Sequence, residues 1–176
     1  MPNILNSEPQ DLADSLAFAG LVLLAFELVR NMIVQPIKTF YSGIEFSAGP
    51  FESYEHDVTS RHKNEFEACL LYLRDFMQAI DAADMNSIQE LRHHRNELAH
   101  NLAAKLPRLR IEDYAELFRA TDRALFKLSN YRTYMEIGAD PRFSELKVDW
   151  SAVKGHEYLL YEEVLGKLQT LQARLR

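Results

Sequence analysis

The residues whose types and spacing admit chemistry lie close together: Arg92, His93, His94, Arg95, Asn96, His100 and Lys105, all within residues 87–106, SIQELRHHRNELAHNLAAKL. Arginine offers a planar fork of donors matched to phosphate oxygens. Histidine titrates near neutrality and can move protons, and asparagine adds an orienting hydrogen bond. RNA can be cleaved without a metal when its 2'-hydroxyl attacks the adjacent phosphorus. That reaction needs a base, an acid and a cation to stabilise the crowded phosphorane, and arginine with histidine supplies that minimum.

The same residues admit two other readings. His93, Glu97 and His100 stand at i, i+4 and i+7, so their side chains stack along one helix face. Glu90-x-x-His93 and Glu97-x-x-His100 both match the E-x-x-H element of di-iron bundles. Those bundles draw such pairs from two different helices and add further carboxylates, whereas here both pairs lie on one helix. No metal and no cofactor is therefore expected. In the remaining reading Arg95 is salt-bridged to an acid of a neighbouring helix, and His100 makes ordinary polar contacts.

The element that positions these residues is a helix over 87–106. Ser87 and Glu90 match the S-x-x-E capping box, and Pro107 closes the far end because proline cannot donate into a helix. At about 100° per residue, Ile88, Leu91, Leu98 and Leu102 fall on one apolar stripe with Arg95 in its middle. A cation there needs a partner, since an unpaired buried charge costs several kcal/mol. Asn96, His93 and His100 occupy the adjoining shoulder within about 60° of one another.

The rest of the chain reads as further helices. The first is expected from residues 9–14 to about Val34, interrupted or bent at Pro36, with Ile37 to Tyr41 carrying on for another turn or two. Its run LAFAGLVLLAF is apolar on every face but only 11 residues long, against the roughly 20 a membrane span needs. It is read as a soluble helix buried nearly all round, or with one side packed against a second copy. Residues 43–57 read as a loop, and 58–81 as an amphipathic second helix marked by Phe66, Cys69, Leu70, Leu73, Phe76, Met77 and Ile80. Residues 82–86 form the link into the motif helix. A fourth helix is expected over 112–137 with Gly138 as its stop. An irregular segment follows from Asp140 to Gly155 with room for a short strand, and a last helix spans 156–174 with Leu160, Val164, Leu168 and Leu171 inward. The fold class is all-α, an antiparallel bundle of four to five helices in one domain spanning residues 1–176.

Composition narrows the class further. At 176 residues with 47% apolar and 26% charged side chains the chain suits one soluble domain. One cysteine, Cys69, excludes an internal disulfide and reads as a core residue. Neither a signal peptide nor a membrane span is expected, and the predicted location is the cytoplasm. Net charge is −6, yet residues 92–110 hold Arg92, Arg95, Lys105, Arg108 and Arg110 against the single acid Glu97. This segment is a local positive feature on an acidic protein. Serine hydrolase, P-loop, dinucleotide, EF-hand and zinc-ribbon patterns are missing.

Arg95-Asn96-Glu97-Leu98-Ala99-His100 resembles the R-x(4–6)-H signature of the HEPN superfamily, including the polar residue that commonly follows the arginine. The helix order over roughly 11–138 is similar to that family too, whereas 139–176 is an unassigned helical extension. The resemblance implies a homodimer in which two Arg/His sets line one cleft. It also implies metal-independent endoribonuclease activity leaving 2',3'-cyclic phosphate ends, often in a toxin, antiphage or antiviral role. Arg95 would bind and stabilise the scissile phosphate, His100 would act in proton transfer or position the 2'-hydroxyl, and Asn96 would support the geometry. Arg92, His93, His94 and Lys105 would contact RNA. An antitoxin or other regulatory protein is an implied partner. Members paired with a nucleotidyltransferase-type antitoxin often extend the motif to R-x4-H-x-Y, and here that last position is Leu102, which removes the tyrosine such regulation modifies. Other members of the family are catalytically silent dimers that bind nucleotide, RNA or protein, and this is the alternative expectation.

Overall fold

A computed structural model describes residues 9–43, 49–106, 109, 111–138, 140–143 and 147–174. Among these every regular element is helical and there is no strand, so no short strand forms among the described residues between Asp140 and Gly155, although Val153 is extended. Short 3₁₀ turns at Pro141–Phe143 and Trp150–Ala152 occupy that segment instead. Residues 44–48 of the expected loop, and Pro107, Arg108 and Arg110 beyond the motif helix, lie outside the described residues.

Helix α1 runs Pro9–Ser42 and includes Pro36. Proline has no N–H to give the carbonyl four residues back, which would leave that of Met32 without its helical donor. Arg132 of the later helix α5 (Ala115–Thr133) donates to the Met32 carbonyl at 3.2 Å and fills the gap. A tertiary bond thus supports the continuation of the helix that the sequence allowed for beyond Pro36.

The inner stripe of α1 is Phe18, Val22, Ala25, Val29 and Ile33, all essentially inaccessible. It packs on α3 (Glu65–Leu71), α4 (Ala82–Lys105) and α6 (His156–Arg174), meeting core residues such as Ile88, Leu91, Leu125 and Tyr161. The expectation that α1 is buried nearly all round is corrected. Leu16, Ala17, Gly20 and Leu24 on its outer side are exposed, because the neighbouring helices cover one flank only. By length and composition Gln10–Ser42 could also cross a bilayer, and its packed inner stripe is compatible with a soluble domain.

The end of the expected loop is helical, a turn, α2, at Tyr54–Asp57. The expected second helix is broken: a 3₁₀ turn stands at Thr59–Arg61, and residues 62–64 form a non-helical link before α3. Asn64 caps α3 by accepting from Glu67 N–H at 3.2 Å. The helix then widens into a π turn at Tyr72–Phe76, in which Met77 N–H reaches the Tyr72 carbonyl at 3.0 Å. Gln78 adopts a left-handed conformation (φ 53°), and Ala79 N–H returns to the Leu73 carbonyl at 2.9 Å, which closes the end.

Helix α4 begins at Ala82, five residues before Ser87, with Asp81 as its N-cap. Asp81 accepts from Ala83 N–H at 2.8 Å and Asp84 N–H at 2.9 Å, while Asp84 accepts from Asp81 N–H at 3.0 Å. This Asp-based capping box displaces the expected Ser87/Glu90 box, because aspartate caps as well as serine and two alanines follow it at once. Ser87 sits in the second turn, its hydroxyl donating to the Ala83 carbonyl at 3.0 Å. Lys127 of α5 bridges Asp81 and Asp84 at 3.0 and 2.7 Å, tying the start of α4 to its neighbour.

Helix α5 carries Phe118, Thr121, Leu125 and Leu128 inward and is followed by a π turn, Tyr134–Gly138. Met135, within that π turn, is 51% exposed. In α6 the inward set is Tyr158, Tyr161, Val164, Leu165 and Leu168. Leu160, expected inward, is exposed because the two tyrosines define the buried face instead.

Candidate functional site

Ile88, Leu91 and Leu98 are buried in the face that α4 turns to the core, and Leu102 is half-buried. Arg95 lies within that face, as its spacing requires, and it has a protein partner. Its Nη2 donates to Glu27 Oε1 of α1 at 2.8 Å, and its Nη1 donates to Asn96 Oδ1 at 3.1 Å. The guanidinium lies 5.5 Å from the centre of the Phe26 ring, a cation–π contact. Its buried Nε has no hydrogen-bond partner among the described residues.

One turn earlier the pattern repeats. Arg92 donates to Glu67 of α3 and lies 5.4 Å from the Phe66 ring centre. Gln89 supports the same carboxylate, donating to Glu67 Oε2 at 2.6 Å. Phe26 and Phe66 meet edge to face at 5.5 Å. Two arginines of α4 therefore lie over an aromatic pair drawn from α1 and α3, each held by a glutamate from the helix that supplies its ring. The aromatic pair fixes the spacing and the carboxylates fix the direction of each guanidinium.

These groups line a polar cleft of about 280 Å³ between α1, the 62–64 link and α4. Glu65 on its wall receives Lys38 at 2.7 Å and the Tyr54 hydroxyl at 3.0 Å. The Lys38 bond is the main reason its carboxyl is held below the usual range. Beside the cleft, and sharing Asn64, Arg92 and Asn96 with it, lies a wider and shallower depression of about 590 Å³ that adds His62, Lys63 and His93.

His100 is exposed and makes no hydrogen bond or ion pair among the described residues. Five residues of helix put it about 140° around the axis from Arg95, on the shoulder of Asn96 and His93. Within one chain the helix thus unites Arg95 with Asn96, and His100 with His93, without closing the two pairs into one site. Asn101, immediately after His100, departs from helical geometry (φ −129°, ψ 29°) and kinks α4 there.

The remaining candidate residues scatter. His94 turns to the other side and stacks edge-on against Tyr114 at 5.1 Å. Lys105, beyond the kink, pairs with Glu97 at 3.0 Å, and this bond is the main cause of the lowered Glu97 pKa. His93 Nε2 stands 3.9 Å from Glu97 Oε1. Among the described residues no three His, Cys, Asp or Glu side chains are placed to hold a metal ion.

Sequence reasoning missed Glu27, Glu67, the Phe26–Phe66 pair and residues 62–64. One signal was available for the first: Glu27 closes the apolar run of α1, and a carboxylate at the edge of a buried stripe needs a cation as much as Arg95 needs an anion. The 62–64 link gave no such signal, because it falls inside a stretch whose apolar periodicity reads as continuous helix.

Compared with family models, curated proteins and solved structures, the chain matches none.

Proposed function

We propose that this chain is a metal-independent endoribonuclease of the HEPN type, working as a homodimer. The observation that supports this reading is the placement of Arg95, Asn96 and His100 on one helix. The arginine stands in a polar cleft with its fork bonded to the adjacent asparagine, and the histidine is open to a partner or a substrate. In the reaction the 2'-oxygen forms a bond to the neighbouring phosphorus and its proton passes to a base. The bond from phosphorus to the 5'-oxygen breaks, and that oxygen takes up a proton. His100 serves proton transfer and Arg95 stabilises the negative phosphorane. The pairing of two copies supplies the second Arg/His set and brings together what one chain holds apart.

Glu27 does not bar phosphate from Arg95. The pair is partly open to solvent, with 30% and 42% of the two side chains exposed, and such pairs contribute only about 0–1 kcal/mol. A phosphate can therefore replace the carboxylate at the same donors.

The experiment is cleavage of single-stranded and hairpin RNA by purified protein in EDTA, with products mapped for 2',3'-cyclic phosphate ends. Arg95→Ala and His100→Ala are each expected to abolish cutting. Cleavage that persists unchanged in both variants would sink the assignment. A second reading is favoured by one observation, the neutralisation of Arg95 by Glu27 at 2.8 Å: a helical dimer that binds nucleotide, RNA or a protein partner without cutting. It predicts binding with no cyclic-phosphate product.

A further inference from the structure

The broken second helix has a consequence for the same face. Had residues 58–81 formed one continuous helix, His62 and Lys63 would have been spread around it. Instead the chain leaves helical geometry at 62–64 before α3 begins, and the link lies against the exposed side of α4. His62, Lys63 and Asn64 then share one shallow depression with Arg92, His93 and Asn96. That depression runs on into the cleft of Arg95 through Asn64, Arg92 and Asn96, which line both.

Its charge is one-sided. The acid in the depression is Glu67, and that carboxylate is already engaged by Arg92 and Gln89. Lys63 is exposed and makes no ion pair among the described residues, whereas Lys38, Lys105, Lys127, Lys154 and Lys167 each hold a carboxylate within 3.0 Å. Lys147 is likewise exposed and unpaired among the described residues, but Lys63 is the one that lies in this depression, beside two exposed histidines on a chain of net charge −6. His62 is also oriented. Asn64 N–H donates to its Nδ1 at 3.0 Å, so the neutral ring carries its proton on Nε2 as a donor.

We propose that His62, Lys63 and Asn64 form a backbone-binding subsite for single-stranded RNA, extending the strand path away from the phosphate held at Arg95. The inference rests on the reading of this face as a ribonuclease site. Lys63 contacts a phosphate flanking the scissile one, His62 Nε2 donates to a neighbouring phosphate or 2'-hydroxyl oxygen, and Arg92, itself held in place by Glu67, continues the track to Arg95. Contacts of this kind position the strand and carry no base specificity, so the subsite raises affinity equally for all sequences.

The test is fluorescence anisotropy with a labelled single-stranded oligonucleotide bearing 2'-O-methyl groups throughout, which cannot be cut. Binding is titrated at several salt concentrations for the wild-type chain, Lys63→Ala, His62→Gln and, as a control on α6, Lys167→Ala. Loss of one phosphate contact is expected to flatten the dependence of log affinity on log salt by about 0.7 for a single strand. Lys63→Ala should show that change together with several-fold weaker binding, His62→Gln a smaller loss, and Lys167→Ala none. If the wild-type chain binds and Lys63→Ala keeps both its affinity and its salt slope, the subsite is overturned while the ribonuclease reading stands. If the wild-type chain neither binds the oligonucleotide nor cuts its unmodified counterpart, the underlying reading fails and the subsite with it. Circular dichroism of each variant, unchanged, ties any loss to the surface contact, because both side chains are exposed.

Discussion

Arg95 of α4 and Glu27 of α1, 68 residues apart in the chain, are joined by a 2.8 Å bond from Nη2 to Oε1. This contact gives a counter-ion to a cation that lies in an apolar helix face, while Nη1 donates to Asn96 and Nε has no partner among the described residues. On the ribonuclease reading proposed above, Glu27 is the group that a phosphate would replace at Arg95.

Glu27→Gln is therefore expected to cost less than about 1 kcal/mol of stability, since the pair is partly exposed. The same change should tighten binding of an uncuttable RNA by up to about tenfold, the equivalent of roughly 1.4 kcal/mol. Urea unfolding and anisotropy measure the two effects. Weaker RNA binding would instead assign Glu27 the role of orienting Arg95 for the phosphate.

A second prediction concerns Asp57, which is buried yet ionised. Burial works to raise its pKa, but donation from Glu52 N–H, His56 and the Tyr41 hydroxyl outweighs it, and the carboxyl lies below its ordinary value. Tyr41 and Glu52 N–H both reach Oδ2 at 2.8 Å. Asp57→Ala strands these donors and should destabilise the fold by about 2–4 kcal/mol, read from denaturant midpoints. Because the folded pKa is depressed, this stabilisation is present above the ordinary carboxylate pKa and lost as pH falls through the folded value.

The neighbouring His56 gives the opposite sign. Its hydrogen bond to Asp57, and then the charge of Glu52, raise its pKa; its Nδ1 lies 3.0 Å from Asp57 and 3.2 Å from Glu52. A raised folded value contributes stability that is complete below the ordinary histidine pKa of about 6.5 and disappears as pH rises through the folded value. Stability measured by thermal melts from pH 6 upward should decline, and His56→Gln should remove that part of the decline. An identical pH profile in the variant would refute the coupling.

Two tyrosines of α6 provide a paired stability test. Tyr161 is fully buried, and its hydroxyl has no partner among the described residues. Tyr158, one turn earlier, donates to Asp122 at 2.7 Å. Removing an unsatisfied buried hydroxyl relieves a desolvation cost, whereas removing a bonded one forfeits about 1 kcal/mol. Tyr161→Phe should accordingly be neutral or stabilising by up to about 1 kcal/mol, and Tyr158→Phe should be destabilising. A loss of more than about 1 kcal/mol in Tyr161→Phe would mean that the hydroxyl has a partner, such as a buried water.

Much of the architecture is legible without coordinates. Apolar periodicity by itself determined that the chain is a helical bundle, that Ile88, Leu91 and Leu98 face the core, and that Arg95 stands among them in need of a partner. It likewise determined the span of α6 and the burial of Cys69, whose thiol pKa burial pushes up to about 11. These follow from the 3.6-residue turn and the aversion of apolar surface to water, which act locally and are written in spacing.

What tertiary structure alone decided has a common physical cause, competition between partners distant in sequence. The continuation of α1 beyond Pro36 is supported by Arg132 reaching the Met32 carbonyl. The start of α4 at Ala82, capped by Asp81, is reinforced by Lys127 from the next helix. The break at 62–64 defeats an apolar repeat that spacing alone reads as continuous. Above all, the identity of the Arg95 counter-ion was open in the sequence, where a carboxylate or a phosphate would serve equally. Packing of α1 against α4 brought Glu27 to it, because a charge in an apolar face is satisfied by whichever acceptor the fold carries within reach.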